Sequence, residues 1–364
     1  MTVKLGYSDI KHLITLPATW DLAYLKQFAM KDGTTYDRVV TRIGTALALF
    51  NRSLTTGYWA GLLRTTTLLE TEYDIGGDSS EIPEYSELER PDPIIGDLTG
   101  HMIPMKDYGG ALGWTYLALR RGRMAMIDAD IRALINRGRN TWQKKTMTRL
   151  FSNTVETVGT TGKSLPFADG GTGDAKYIPP TWEGKIFAAA HQHYLRNTND
   201  AAGRTAAIKA MMDHLVEHGH RPPFDMIVSE TDIASWTAQT EFRKPERGVL
   251  STAGVETRAA VPEETYFGLI ETDRGWARLK YSSRLPTLYS GMFKPGGFNN
   301  ANNPLVVRFE EGFPLGLSLV ATETRFPLLD SIALFTFGMG IGERTSGVAN
   351  FAAAAGNYVN PVIT

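Results

Sequence analysis

Apolar positions recur at helical spacing most regularly between Arg123 and Phe151, where Ile127, Ile131, Leu134, Ile135 and Trp142 fall at steps of three, four and seven. This spacing makes a stripe roughly 100° wide on a 3.6-residue period and predicts one long helix buried along one side. At 1.5 Å per residue it would run about 43 Å, longer than the usual three or four turns, and would serve as a spine for other layers. Asp128 and Asp130 near its start and Lys144, Lys145 and Arg149 near its end follow the order that the helix dipole favours. Past Trp142 the stripe passes to Lys145 and Arg149 while Met147, Leu150 and Phe151 point elsewhere, so the helix is expected to change packing partners near Gly138.

The rest of the chain divides around this element. Residues 1–35 lack a sustained period and read as an N-terminal arm with one helical turn at Trp20 to Phe28. The next segment, 36–67, opens with an amphipathic helix from Tyr36 to Phe50 carrying Val39, Val40, Ile43, Leu47 and Phe50. From Leu68 to Ile75 the pattern alternates strictly, with Leu69, Thr71, Tyr73 and Ile75 on one face, as in a half-exposed strand. A second extended run follows from Leu98 to Leu117, and the pair reads as an extended two-stranded loop over 68–117. A ribbon of that length is marginal in water by itself, which favours support from another chain.

The spine and a Gly-, Thr- and Ser-rich linker from Phe151 to Pro180 fill 118–180. Across 181–327 helices at Ile186 to Tyr194 and Ala201 to His218, and a helical turn from Glu230 to Thr237, alternate with strands. The strands are Met226 to Ser229, Phe267 to Thr272, Ala277 to Tyr281, Leu305 to Phe309 and Leu315 to Thr322. This alternation indicates an α/β or α+β domain. Residues 328–364 supply an apolar return strand, Ser331 to Gly338, and a small-residue tail expected at a surface.

Composition narrows the function. Among 364 residues, 42% are hydrophobic, 21% are charged and the net charge is −1, so the material for a core is ample and contact with nucleic acid is expected to be weak and nonspecific. There is no cysteine, which removes disulfides, thiolate metal sites and cysteine nucleophiles. The start of the sequence has no apolar signal core, and the longest apolar run, Ser331 to Gly342, is too short to span a bilayer. An aqueous compartment is expected.

Charge is unevenly placed. Between Glu70 and Asp97 ten acidic residues accompany a single arginine, a net of −9, whereas Arg120 to Arg149 holds nine basic residues and two aspartates, a net of +7. In a self-assembling protein the acidic arm of one subunit would lie over the basic spine of the next, with charge fixing the register. The expected intersubunit residues are Glu72, Asp74, Glu81, Glu84, Glu87 and Glu89 on the arm, and Arg132, Arg137, Arg139, Lys144, Lys145 and Arg149 on the helix. The alternative is a solvated charged face on each element.

Catalytic patterns are sparse. His214-Leu215-Val216-Glu217-His218 matches H-x-x-E-H, in which two histidines on one helical face bind zinc and the glutamate acts as general base. That reading, a zinc metallohydrolase using His214, Glu217 and His218, lacks a visible third ligand, because Asp273, Glu310 and Glu311 sit in strands or turns; His191, His193 and His220 instead suggest an exposed polar face. Gly159 to Ser164 ends like a phosphate loop, but its glycines are three apart where five are needed, and it reads as a turn. Gly338-Met339-Gly340-Ile341-Gly342 reads as a tightly packed strand end rather than a dinucleotide loop. No catalytic, cofactor or metal site is assigned, and the chain is not expected to be an enzyme.

The order of N-terminal arm, extended loop (Leu68 to Leu117), spine helix (Arg123 to Phe151), α/β domain (Thr181 to about Pro327) and return strand resembles the major capsid proteins of tailed bacteriophages with the Hong Kong 97 fold. The segments PFDMIVSETDIASW and TFGMGIGERTSG are similar to those proteins as well. The resemblance implies an α+β fold with a peripheral domain built on the spine and an axial α/β domain, and hexamers and pentamers tiling an icosahedral shell around double-stranded DNA. Portal, scaffolding and decoration proteins would be partners, the location the virion capsid, and the place of assembly the host cytoplasm. Some relatives crosslink through a lysine in the extended loop, but no lysine occurs between Lys31 and Lys106, so noncovalent locking or a decoration protein is expected instead. A separate scaffolding protein is expected because no long charged helical extension precedes the arm. An encapsulin-like nanocompartment subunit is the alternative within the same fold.

Overall fold

The computed structural model describes residues 29–75, 97–160, 162–169, 177–183, 185–187, 189–244, 267–325, 328–353 and 356–364. The arm before residue 29 and the tip of the acidic loop, 76–96, lie outside them. The chain divides into two units, each drawn from separate stretches: Met1–Leu54, Lys106–Thr141 and Gly312–Thr336 in the first, and Thr55–Met105, Trp142–Glu311 and Phe337–Thr364 in the second. The long helix, Met124–Phe151, contributes to both, and no helix among the described residues is long and apolar enough to cross a membrane.

In the first unit the helix Tyr36–Thr56 runs past the end expected at Phe50, and Val39, Ile43, Leu47, Phe50 and Leu54 are buried at the helical steps that the pattern predicts. Ile127, Ile131 and Leu134 of the long helix are buried too. Gly138 marks a close approach: a Cβ added there would lie 3.2 Å from both Phe50 Cζ and Leu317 Cδ1. Phe50 in turn meets Phe335 edge-on, with ring centroids 6.0 Å apart. The N-terminal end of the long helix departs from expectation. Asp32, far away in sequence, accepts the Met124 N–H at 2.7 Å, and that bond helps hold its carboxyl below the ordinary value. Asp128 and Asp130 lie beyond the first turn, where Asp128 pairs with Arg42 at 3.1 Å and Asp130 accepts Trp114 Nε1–H at 2.8 Å.

The predicted second ribbon strand is two strands. Asp97–Met102 pairs antiparallel with Glu70–Ile75, while Met105–Thr115 joins the return strand Leu328–Ile341. Pro104 separates them, since it has no N–H to continue a ladder. The return strand also pairs antiparallel with Ser318–Arg325, from Ser318↔Leu334 to Arg325↔Leu328.

The second unit holds a mixed seven-stranded sheet in the order Tyr194–Asn197, Gly347–Ala352, Tyr289–Phe293, Phe224–Ser229, Gly275–Ser282, Gly268–Thr272, Phe242–Arg243. The helix Ala201–Glu217 buries Ile208, Met211, Met212 and Leu215 in one cluster with Phe224, Met226, Ile270, Leu279 and Val348. Asp200 caps its start by accepting the Gly203 N–H at 2.6 Å. Its end is a Schellman turn: Gly219, at φ +82°, donates to Val216 O, and His220 donates to Leu215 O. In the same unit Leu63–Thr66 runs parallel to Leu305–Arg308, which is antiparallel to the last residues of the return strand. The glycines there permit close backbone approach, because a Cβ on Gly338 would sit 2.5 Å from Pro104 O and one on Gly342 2.5 Å from Asn303 O.

The helix expected from Ile186 to Tyr194 is not formed by its described residues; at its end His193 is held in extended pairing, with its N–H on Ala168 O at 2.8 Å and its carbonyl accepting Ala349 N–H at 2.9 Å. The tail is not confined to the surface, since Gly347–Ala352 is a largely buried strand inside the sheet. The phosphate-loop-like stretch is a hairpin, Glu156–Val158 with Gly162–Ser164, turning at Gly159 with φ +63°.

Candidate functional site

The helix residues expected to meet a neighbouring subunit fall into three groups. Arg132, Arg137, Arg139 and Lys144 are exposed on the long helix, although Arg132 also donates to Asp128 O of its own helix at 3.1 Å. Lys145 is half-buried. Arg149 differs most from expectation: it is buried, donating Nε–H to Met339 O at 2.9 Å and pairing with Glu156, so its charge is used within its own chain. The helix turns that residue inward because its last turns also bury Met147, Leu150 and Phe151. On the acidic side, Glu72 is exposed opposite Gly100 and Asp74 sits opposite Leu98 in the ribbon. Glu81, Glu84, Glu87 and Glu89 lie outside the described residues.

A second constellation gathers histidines that the H-x-x-E-H pattern only half revealed. His214 and Glu217 lie on the helix Ala201–Glu217 and His218 caps it, while His191 and His193 come from the extended segment before Tyr194. His214 and His218 do not act as a pair. Ligand atoms of His191, His193 and His218 lie within 4.8 Å of one another, and those of His191, His214 and Glu217 form a second group of the same span. The zincin-like arrangement expected from the helix alone is therefore replaced by two overlapping groups sharing His191. Two apart in extended chain, His191 and His193 share a face, a signal hidden by reading that segment as helix.

Local bonds orient these rings. His193 is fully buried, with Nδ1 2.8 Å from Gly347 O and Nε2 3.0 Å from His218 Nε2. A carbonyl oxygen can only accept, so Nδ1 carries the proton and the Nε2 lone pair faces His218. Burial holds His193 neutral, with its pKa well below the ordinary value, and pushes His218 down to about 2, reinforced by neighbouring histidine charges. Phe187 stacks on His218, with centroids 4.7 Å apart and planes at 25°. His214 Nδ1 is 2.8 Å from Ala210 O. Desolvation opposes ionisation of Glu217, but His191 and Lys185 outweigh it and hold the carboxyl at about 2. Lys185 Nζ donates to Glu217 Oε2 at 2.8 Å. His191 Nε2 is 2.6 Å from Glu217 Oε1 but off the line of a hydrogen bond, and both atoms, with His218 Nδ1, are buried without an aligned partner.

No protein-family model and no curated protein matches this sequence. Solved structures do. A chain of Mycobacterium phage Patience superposes with a TM-score of 0.60 at 19% identity, over 92% of this chain and 92% of its own. A chain from the asymmetric unit of the bacteriophage PhiM1 mature capsid gives a TM-score of 0.50 at 10% identity, over 82% of this chain and 87% of its own. The protein shares the α+β fold of these phage chains over 92% and 82% of its length.

Proposed function

We propose that this protein is a major capsid protein of a tailed bacteriophage, of the Hong Kong 97 type, whose subunits form hexamers and pentamers of an icosahedral shell enclosing double-stranded DNA. The observation that carries this reading is the shared fold with a phage chain over 92% of both chains, together with the likeness to a mature capsid subunit. The function is then many symmetric contacts rather than chemistry at one centre. A two-stranded ribbon with exposed Glu72 and a long helix with exposed Arg132, Arg137, Arg139 and Lys144 suit such contacts. Weak DNA contact at the inner face, portal, scaffolding and decoration partners, and assembly in the host cytoplasm complete the proposal.

Charge complementarity between the acidic loop of one subunit and the basic face of the next would set docking register and speed. Arg137 and Lys144, seven apart on the helix, share a face. The double variant Arg137→Glu, Lys144→Glu is expected to lower particle yield at low salt by about tenfold and to flatten its salt dependence. Sedimentation of particles at several ionic strengths reads both effects; wild-type yield and salt dependence in the variant would remove the helix from the docking surface.

A further inference from the structure

We propose that His191, His193 and His218 hold one divalent transition-metal ion of the zinc class, joining the extended segment before Tyr194 to the C-terminal end of the helix Ala201–Glu217. Three features carry this site, and none depends on the shell reading. The three side chains bring ligand nitrogens within 4.8 Å of one another from two separate stretches of chain. The edge of a tetrahedral zinc site is roughly 3.4 Å, given Zn–N distances of about 2.0–2.1 Å, and the His193 Nε2 to His218 Nε2 distance of 3.0 Å is already near it. His193 is also set up as ligating histidines are, with Nδ1–H on a backbone carbonyl, that of Gly347, so that Nε2 is bare and its ring fixed.

His191 Nε2 is buried without an aligned hydrogen-bond partner, which is costly for a polar atom and is relieved by a cation. Three imidazoles with no carboxylate in the first group suit zinc, copper, nickel or cobalt and not the hard cations magnesium or calcium. Glu217, 2.6 Å from His191, supplies negative charge beside the ion, and the Phe187 ring against His218 walls one side. With His193 fully buried and His218 nearly so, the site is structural: it ties the helix end to the edge of the seven-stranded sheet.

The test uses the untagged full chain, stripped with a chelator, dialysed and titrated with Co²⁺, then challenged with Zn²⁺. One cobalt per chain with the visible d–d bands of low-coordinate nitrogen ligation, displaced by zinc, is expected, together with a zinc-dependent rise in melting temperature. His191→Asn and His218→Gln should each weaken metal binding at least about tenfold and abolish the thermal shift, whereas His214→Gln should keep the stoichiometry. Melting of the stripped variants alongside stripped wild type separates loss of metal from loss of fold. Absence of cobalt bands and of any zinc-dependent thermal shift in the wild type would overturn the proposal. So would His214→Gln losing the ion while His218→Gln retains it.

Discussion

Asp225→Ala is expected to destabilise the second unit by about 3–5 kcal/mol, because it strands a buried lysine. Asp225 is fully buried on the strand Phe224–Ser229, where it meets Arg278 Nε at 2.6 Å and Lys280 Nζ at 2.8 Å. Lys280 is itself buried; desolvation pulls its pKa down while Asp225 supports its charge. Its other contacts, the Tyr58 carbonyl at 3.1 Å and the Tyr58 ring at 4.7 Å, cannot replace a full negative charge. Arg278 is more exposed and can be solvated, so the loss falls on Lys280. Adding Lys280→Met removes the stranded charge, and the double variant is expected to recover most of the stability. Urea unfolding of the unassembled chain measures both; equal midpoints for Asp225→Ala and wild type would show that the pair does not stabilise the fold.

Arg344→Ala is expected to cost a similar amount by a different route. Arg344 is fully buried, donating Nε–H to Pro166 O at 2.9 Å and reaching Phe167 O at 3.5 Å, with its guanidinium 4.2 Å over the Tyr177 ring. Truncation leaves a large cavity and takes donors away from buried carbonyls, together about 3–5 kcal/mol. Arg344→Lys keeps the charge but not the planar fork that bonds carbonyls while stacking on a ring, so only partial recovery is expected. The same unfolding measurement would contradict this account if lysine restored wild-type stability.

Both predictions concern residues that sequence reading passed over. The long helix was legible because one period, Ile127 to Trp142, ran for several turns; Ile127, Ile131, Leu134 and Trp142 are buried and Ile135 is half-buried. The strands at Phe224–Ser229 and Leu305–Arg308 were legible as short apolar runs. By contrast, Gly347–Ala352 is composed of small and mixed residues, and its place in the sheet depends on partners at Tyr289–Phe293 and Tyr194–Asn197, remote in sequence. The stretch from Ile186 to Tyr194 carries a helical pattern, but at its end His193 pairs with Ala168 and Ala349, partners that local spacing does not show. Asp225, Arg344 and the histidine cluster share this property: each acts through side chains brought together by tertiary structure, which local spacing does not encode. The acidic and basic halves of the expected docking pair were visible as composition, but the burial of Arg149 was not, because the same helical face carries charge at its surface and apolar contacts at its end.

The central claim is that the folded chain is a shell subunit. Electron microscopy of the purified protein, with its mass read by analytical ultracentrifugation, tests it most directly. Closed icosahedral particles built of hexamers and pentamers are predicted, and particle size with a portal or enclosed DNA would separate a phage capsid from an encapsulin-like compartment. A small monomer at every salt and protein concentration would contradict it.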